Sequence, residues 1–109
     1  MIVSDKNVQD ALIYLADNPH PIAVARKAVT DAENSAKRTY AEAFLAAEGA
    51  VEARRAKAEV SDEYQEAKAL ESAAILDLET HKSRCKAAEM IIEIWRSENA
   101  NARAAERVR

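Results

Sequence analysis

The sequence predicts an all-α protein, and three observations carry that prediction. Helix breakers are scarce: one glycine, Gly49, and two prolines, Pro19 and Pro21, in 109 residues, so the chain has few places to turn. Alanine fills 25 positions and 32% of residues are charged, a composition that favours long exposed helices over strands. Apolar residues recur at spacings of three and four, the period of one helix face. The expected architecture is a short N-terminal helix followed by a long antiparallel helical hairpin with a coiled-coil-like seam, all in one helical domain over residues 1–109.

The first helix is expected over about residues 5–17. Ser4 and Asp5 offer an N-cap, and Val8, Ala11, Leu12 and Leu15 fall on one face. The run Asp17-Asn18-Pro19-His20-Pro21 stops it, because proline disfavours helix in the residue before it and supplies no backbone donor.

Pro21 then suits the first position of a second helix, about 21–48. Ile22, Ala25, Val29, Ala32, Ala36, Ala43 and Ala47 form its narrow seam of mostly small residues, flanked by Tyr40 and Phe44. Gly49 is the natural stop, since it alone takes a left-handed conformation without steric cost.

A short connector helix is expected over about 51–58, pinned between Gly49 and Ser61. Ser61-Asp62-Glu63-Tyr64 opens the last helix, with carboxylates where the helix dipole favours them. It is expected over about 62–100, with a tail to 109 that has few large apolar groups and would fray or become ordered on binding. Tyr64, Ala67, Ile75, Leu78, Cys85 and Ile92 make one stripe on it, and Leu70, Ala74, His81, Ala88, Ile91 and Trp95 a neighbouring one.

Much of the apolar content is alanine, which buries little surface per residue. An elongated helical chain of this size therefore gains stability by associating, and a homo-oligomer is expected. The richest apolar cluster, Met90, Ile91 and Ile92 with Ile94 and Trp95, lies where the long helix would overhang its hairpin partner. Met90, Ile91, Ile92 and Trp95 are the candidate oligomer or partner interface, against the plainer reading that they are core beneath the first helix.

Net charge is −3, which argues against a generally basic nucleic-acid binder, but the charge is uneven. The doublets Arg26-Lys27, Lys37-Arg38 and Arg54-Arg55 with Lys57 punctuate an acidic stretch. Doublets of this kind can hold phosphates, and copies arranged in a ring would build affinity from an acidic monomer. Tyr40 could stack on a base, although packing beside the seam explains it as well.

Catalytic chemistry is thinly represented. No glycine-rich phosphate loop or nucleophile elbow can be assembled, so no enzyme activity and no cofactor are expected. His81 and Cys85 share a face but supply only two of the ligands a zinc site needs, and Glu89 and Glu93 lack the Glu-x-x-His partners of a bundle carboxylate centre. Packing and surface ion pairing account for these residues, and no metal site is expected. With one cysteine there is no intrachain disulfide, and no apolar run reaches the length of a membrane span. A cytoplasmic protein without a membrane partner is the expectation.

The order of features has a known likeness. Lys37-Arg38-Thr39-Tyr40 through Phe44, the Gly49 turn, the basic Val51–Lys57 connector, and a long helix opened by Ser-Asp-Glu-Tyr and carrying Ile-Ile-Glu-Ile-Trp-Arg together span residues 22–98. In this the chain resembles small phage-encoded recombination accessory proteins, distantly of the UvsY type of recombination mediator. That resemblance implies a ring-like homo-oligomer in the host cytoplasm that binds single-stranded DNA and helps a recombinase or annealing protein onto strands coated with single-strand binding protein. It implies DNA contact at Lys37 and Arg38, to which the doublet reading adds Arg54, Arg55 and Lys57, and assembly through Ile91, Ile92 and Trp95. The chain departs from that pattern in its alanine excess and in having no glycine turn beyond Gly49. The competing expectation is a non-enzymatic helical interaction module, a scaffold or an inhibitor of a host defence protein, that does not touch DNA.

Overall fold

The computed structural model describes residues 2–108, and all regular structure among them is α-helical. Four helices follow in order: α1 (Asp5–Ala16), α2 (Pro21–Ala46), α3 (Val51–Val60) and α4 (Asp62–Val108). No helix among the described residues is long and apolar enough to cross a membrane.

Each boundary has a local cause. The Ser4 hydroxyl accepts from the Asn7 N–H at 3.2 Å and caps α1. Asp17 leaves the helical region, its N–H reaching back to the Tyr14 carbonyl, and the cis Asn18–Pro19 bond leads into Pro21 at the start of α2. Helix α2 ends at Ala46 rather than at residue 48. There the Ala47 N–H is shared between the Ala43 and Phe44 carbonyls at 3.1 and 3.3 Å, and Gly49 takes φ +115°. The connector helix runs on to Val60, because the break is made at Ser61. The Ser61 hydroxyl donates to the Ala58 carbonyl at 2.8 Å and accepts from the Tyr64 N–H at 3.3 Å, closing α3 and capping α4 at once.

Helix α4 reaches Val108, where fraying was expected beyond residue 100. Four alanines between Ala100 and Ala105 and the flanking arginines and Glu106 are strong helix formers that need no apolar partner to favour the helix.

The described chain divides into two compact units. One joins the segment ending at Pro21 to the residues from Thr80 onward. Its shielded residues are Val3, Val8 and Ala11 with Ala88, and around them His81, Cys85, Ile91, Ile92, Ile94 and Trp95 are half-buried. The Ile2 N–H donates to the Glu98 carboxylate at 2.7 Å and holds the segment before α1. Tyr14 fastens α1 itself: its hydroxyl donates to the His81 carbonyl at 3.0 Å, its ring meets His20 edge-on at 5.1 Å, and the Arg84 guanidinium lies 4.9 Å from the ring centre.

The other unit is Ile22–Glu79. Ala25, Ala36, Ala58, Ala67 and Leu78 are its buried residues. On α2, Ile22, Val29, Ala32 and Ala43 are half-buried, as is Ala47 just past its end, so with Ala25 and Ala36 every residue of the small-residue seam is shielded. On α4 the shielded positions Tyr64, Ala67, Glu71, Ala74 and Leu78 alternate steps of three and four, while Leu70 and Ile75, read as parts of the stripes, are exposed. Alanine at the contact positions lets helix backbones approach closely but buries little per residue. In consequence no large side chain of either unit is fully buried among the described residues.

Candidate functional site

The five basic residues read as DNA contacts divide into two groups. Lys37 and Arg38 are exposed on α2, and among the described residues no hydrogen bond or ion pair engages either one. Arg54, Arg55 and Lys57 are occupied. The Arg54 Nε donates to the Phe44 carbonyl at 3.2 Å while its guanidinium lies 4.4 Å from the centre of the Phe44 ring. Lys57 donates through Nζ to the Glu48 carbonyl at 2.8 Å. Arg54 thus adds to the Ala47 N–H at a carbonyl of the last turn of α2, and Lys57 binds a carbonyl of the turn just beyond it, where cations are favoured by the helix C-terminus. Arg55 pairs with Glu52 at 3.2 Å in an exposed ion pair of small energetic weight.

Beside Lys37 lies a groove within the Ile22–Glu79 unit, of about 500 Å³, bordered by Glu33, Lys37 and Tyr40 of α2 and by Tyr64, Lys68 and Glu71 of α4, with Ala36 between them. Ala36, only 3% exposed, is covered by its larger neighbours at the seam. The Tyr40 and Tyr64 rings meet edge-to-face, centres 5.2 Å apart, a favourable aromatic geometry. Lys68 donates to the Glu71 carboxylate at 3.1 Å. That hydrogen bond and the charge of Glu71 hold the Lys68 ammonium above the ordinary lysine range, with small further contributions from Tyr64 and Glu33. Among the described residues Glu33 makes no hydrogen bond or ion pair of its own, so the groove offers one carboxylate and one ammonium outside any ion pair, and two tyrosines.

The candidate assembly residues are unequal. Met90 is 59% exposed, whereas Ile91, Ile92, Ile94 and Trp95 are half-buried. Ile91 shares a shallow cleft with Asn7, Asp10 and Tyr14, so part of the cluster faces α1 within the unit that contains both. Further exposed aliphatics are spread over all four helices, among them Ile13, Leu45, Val60 and Leu76.

His81 and Cys85 do not converge on a common ligand. His81 accompanies Tyr14, its ring stacked at 6.4 Å, and the Cys85 sulfur hydrogen-bonds Glu89 at 3.7 Å. Burial pushes the Cys85 thiol up, and the neighbouring Glu89 carboxylate adds to the shift. Among the described residues no group of three or more His, Cys, Asp and Glu side chains could hold a metal ion.

Glu33 of α2 and Tyr64 and Lys68 of α4 do not read as site residues in the sequence. The available signal was that Tyr40 lies near the end of α2 and Tyr64 near the start of α4, so that both are close to the connector. Comparison with protein families, curated proteins and solved structures returns no match.

Proposed function

We propose that this chain is a non-enzymatic helical accessory protein of phage recombination that acts as a homo-oligomer and binds single-stranded DNA, the role its resemblance to small recombination mediators implies. One observation carries the reading: the folded chain leaves its apolar surface unfinished. Among the described residues six of the nine that are buried are alanine, and large aliphatics stay exposed on every helix. Water disfavours such a surface, and a second copy is an available cover for it. The hairpin arrangement of α2 and α4 is supported by contacts that run in opposite senses, with Tyr40 on Tyr64 and the charge of Glu33 felt at Lys68.

DNA contact in this reading falls on Lys37 and Arg38, the two candidate cations with no other partner. They would hold the phosphate backbone without reading sequence, and assembly would multiply weak contacts into avidity. The test is the affinity of a fluorescently labelled single strand as a function of salt. Each phosphate contact on a single strand contributes a slope of about −0.7 in log K against log salt. Removing both contacts, Lys37→Ala with Arg38→Ala, is expected to weaken binding and flatten the slope by about 1.4 per bound chain. An unchanged slope counts against the pair.

One observation favours the protein-only reading, in which the chain is a scaffold or an inhibitor of a host defence protein. Three of the five candidate cations have employment inside the fold. In that reading the exposed apolar surface takes a different protein and no strand binds at any salt.

A further inference from the structure

Within the DNA-binding reading, on which this inference rests, we infer that the groove between Tyr40 and Tyr64 is a subsite for one unpaired base and that it selects bases carrying an exocyclic amine. Its size, about 500 Å³, lies inside the range of roughly 300–1,000 Å³ that small-molecule sites occupy. Its chemistry divides the way a nucleotide does. The tyrosine pair supplies aromatic surface, and stacking on such rings is the general means of holding single-stranded bases. At the α2 rim Lys37 carries an ammonium with no partner in the fold, placed to take the phosphate of the same nucleotide.

The carboxylates set the preference. A groove meant only for phosphate would not carry Glu33 and Glu71, whose charge repels it. Glu71 is committed to Lys68 through the 3.1 Å hydrogen bond. Glu33 has no such commitment, and a carboxylate is an acceptor only. It can receive a hydrogen bond from the amine of cytosine, adenine or guanine, whereas in uracil or thymine the one ring donor, N3–H, lies between two carbonyl acceptors that repel a carboxylate approaching it. The two rims thus do different work: Lys37 holds the backbone and Glu33 chooses the base.

The experiment compares oligo-dC with oligo-dU of equal length, which differ only along the C4–N3 edge, an amine beside an acceptor nitrogen in cytosine and a carbonyl beside an N–H in uracil, using the full chain at low salt. Contacts of this kind discriminate by roughly tenfold, so oligo-dC is expected to bind about tenfold tighter. Glu33→Gln is expected to bring the two strands to equal affinity, because an amide can turn either a donor or an acceptor toward the base. Tyr40→Leu keeps an apolar side chain against Tyr64, removes the stacking ring, and is expected to lower the affinity of both strands by about tenfold, with thermal unfolding used to verify that it folds. Equal affinities for the two strands in the wild-type chain, with binding still salt-sensitive and Glu33→Gln without effect, overturn the subsite and leave the DNA-binding reading standing. Failure of either strand to bind at low salt overturns that reading and the subsite with it.

Discussion

Replacing Arg54 with alanine separates two employments open to a basic residue beside a turn. Two interactions would be lost, the Arg54 Nε hydrogen bond to the Phe44 carbonyl at 3.2 Å and the guanidinium contact with the Phe44 ring at 4.4 Å. A hydrogen bond from a charged donor is worth about 1.5 kcal/mol at the low end of its range, appropriate to a half-buried residue, and a cation over an aromatic ring at a partly exposed site adds about 0.5 kcal/mol. The expected loss is about 2 kcal/mol. For a chain of this length that lowers Tm by roughly 8 °C. The assay is thermal unfolding followed by far-ultraviolet circular dichroism at one fixed protein concentration, since association would otherwise contribute to Tm. Arg38→Ala is the control: exposed and unpaired, it is expected to change stability by less than about 0.5 kcal/mol. A Tm for Arg54→Ala within about 2 °C of the wild type would refute the assignment of Arg54 to the end of α2 and return it to the DNA candidates.

Other perturbations test other parts of the fold. Gly49→Ala is expected to cost about 1–3 kcal/mol in denaturant unfolding, because φ is +115° there, while space is not limiting: an added Cβ would meet only the Ala53 Cβ at 3.5 Å. Ala58→Leu puts a large side chain at a position with no exposed surface and is expected to lose about 1–3 kcal/mol by overpacking. Tyr14→Phe removes the hydroxyl that donates to the His81 carbonyl and is expected to lose about 1 kcal/mol. At neutral pH Cys85 is expected to react more slowly with a thiol reagent than an unperturbed thiol, since its raised proton affinity leaves less thiolate, and a rate equal to that of a free model thiol would contradict that.

The helical character was legible because nothing in the chain opposes it. With so few breakers, local propensity and tertiary packing agree over almost every residue. The small-residue face of α2 was readable for the same reason, and every alanine named on it is shielded. Boundaries were less readable where the deciding interaction reaches between elements. Helix α2 stops at Ala46, and the carbonyls of Phe44 and Glu48 on either side of that end are bound by Arg54 and Lys57, ten and nine residues further on, which no local propensity encodes. Helix α4 continues past residue 100 because the alanine-rich end needs no packing partner, a case in which poverty of apolar groups was read as fraying.

The candidate site was legible only in part. A basic doublet in sequence carries no sign of whether its charges are free, so Lys37-Arg38 and Arg54-Arg55 read alike. The fold distinguishes them: one pair projects from the middle of a helix and the other sits where a helix end needs cations. The groove beside Lys37 was hidden for a related reason. It is made by residues of α2 and α4 on either side of an alanine, and a space between two helices is visible only when both are in place.

The central claim, that the chain completes its core by self-association, is tested most directly by the light-scattering mass of the purified protein across a concentration series, repeated with Met90→Asp and with a labelled single strand present. Met90 is largely exposed in the single chain, so the substitution would leave a monomer's stability almost unchanged but would bury a charge in an assembly. The account predicts a defined mass of several chains that binds the strand, and its loss in Met90→Asp. A mass of one chain at every concentration, unaltered by Met90→Asp and by the strand, would contradict it.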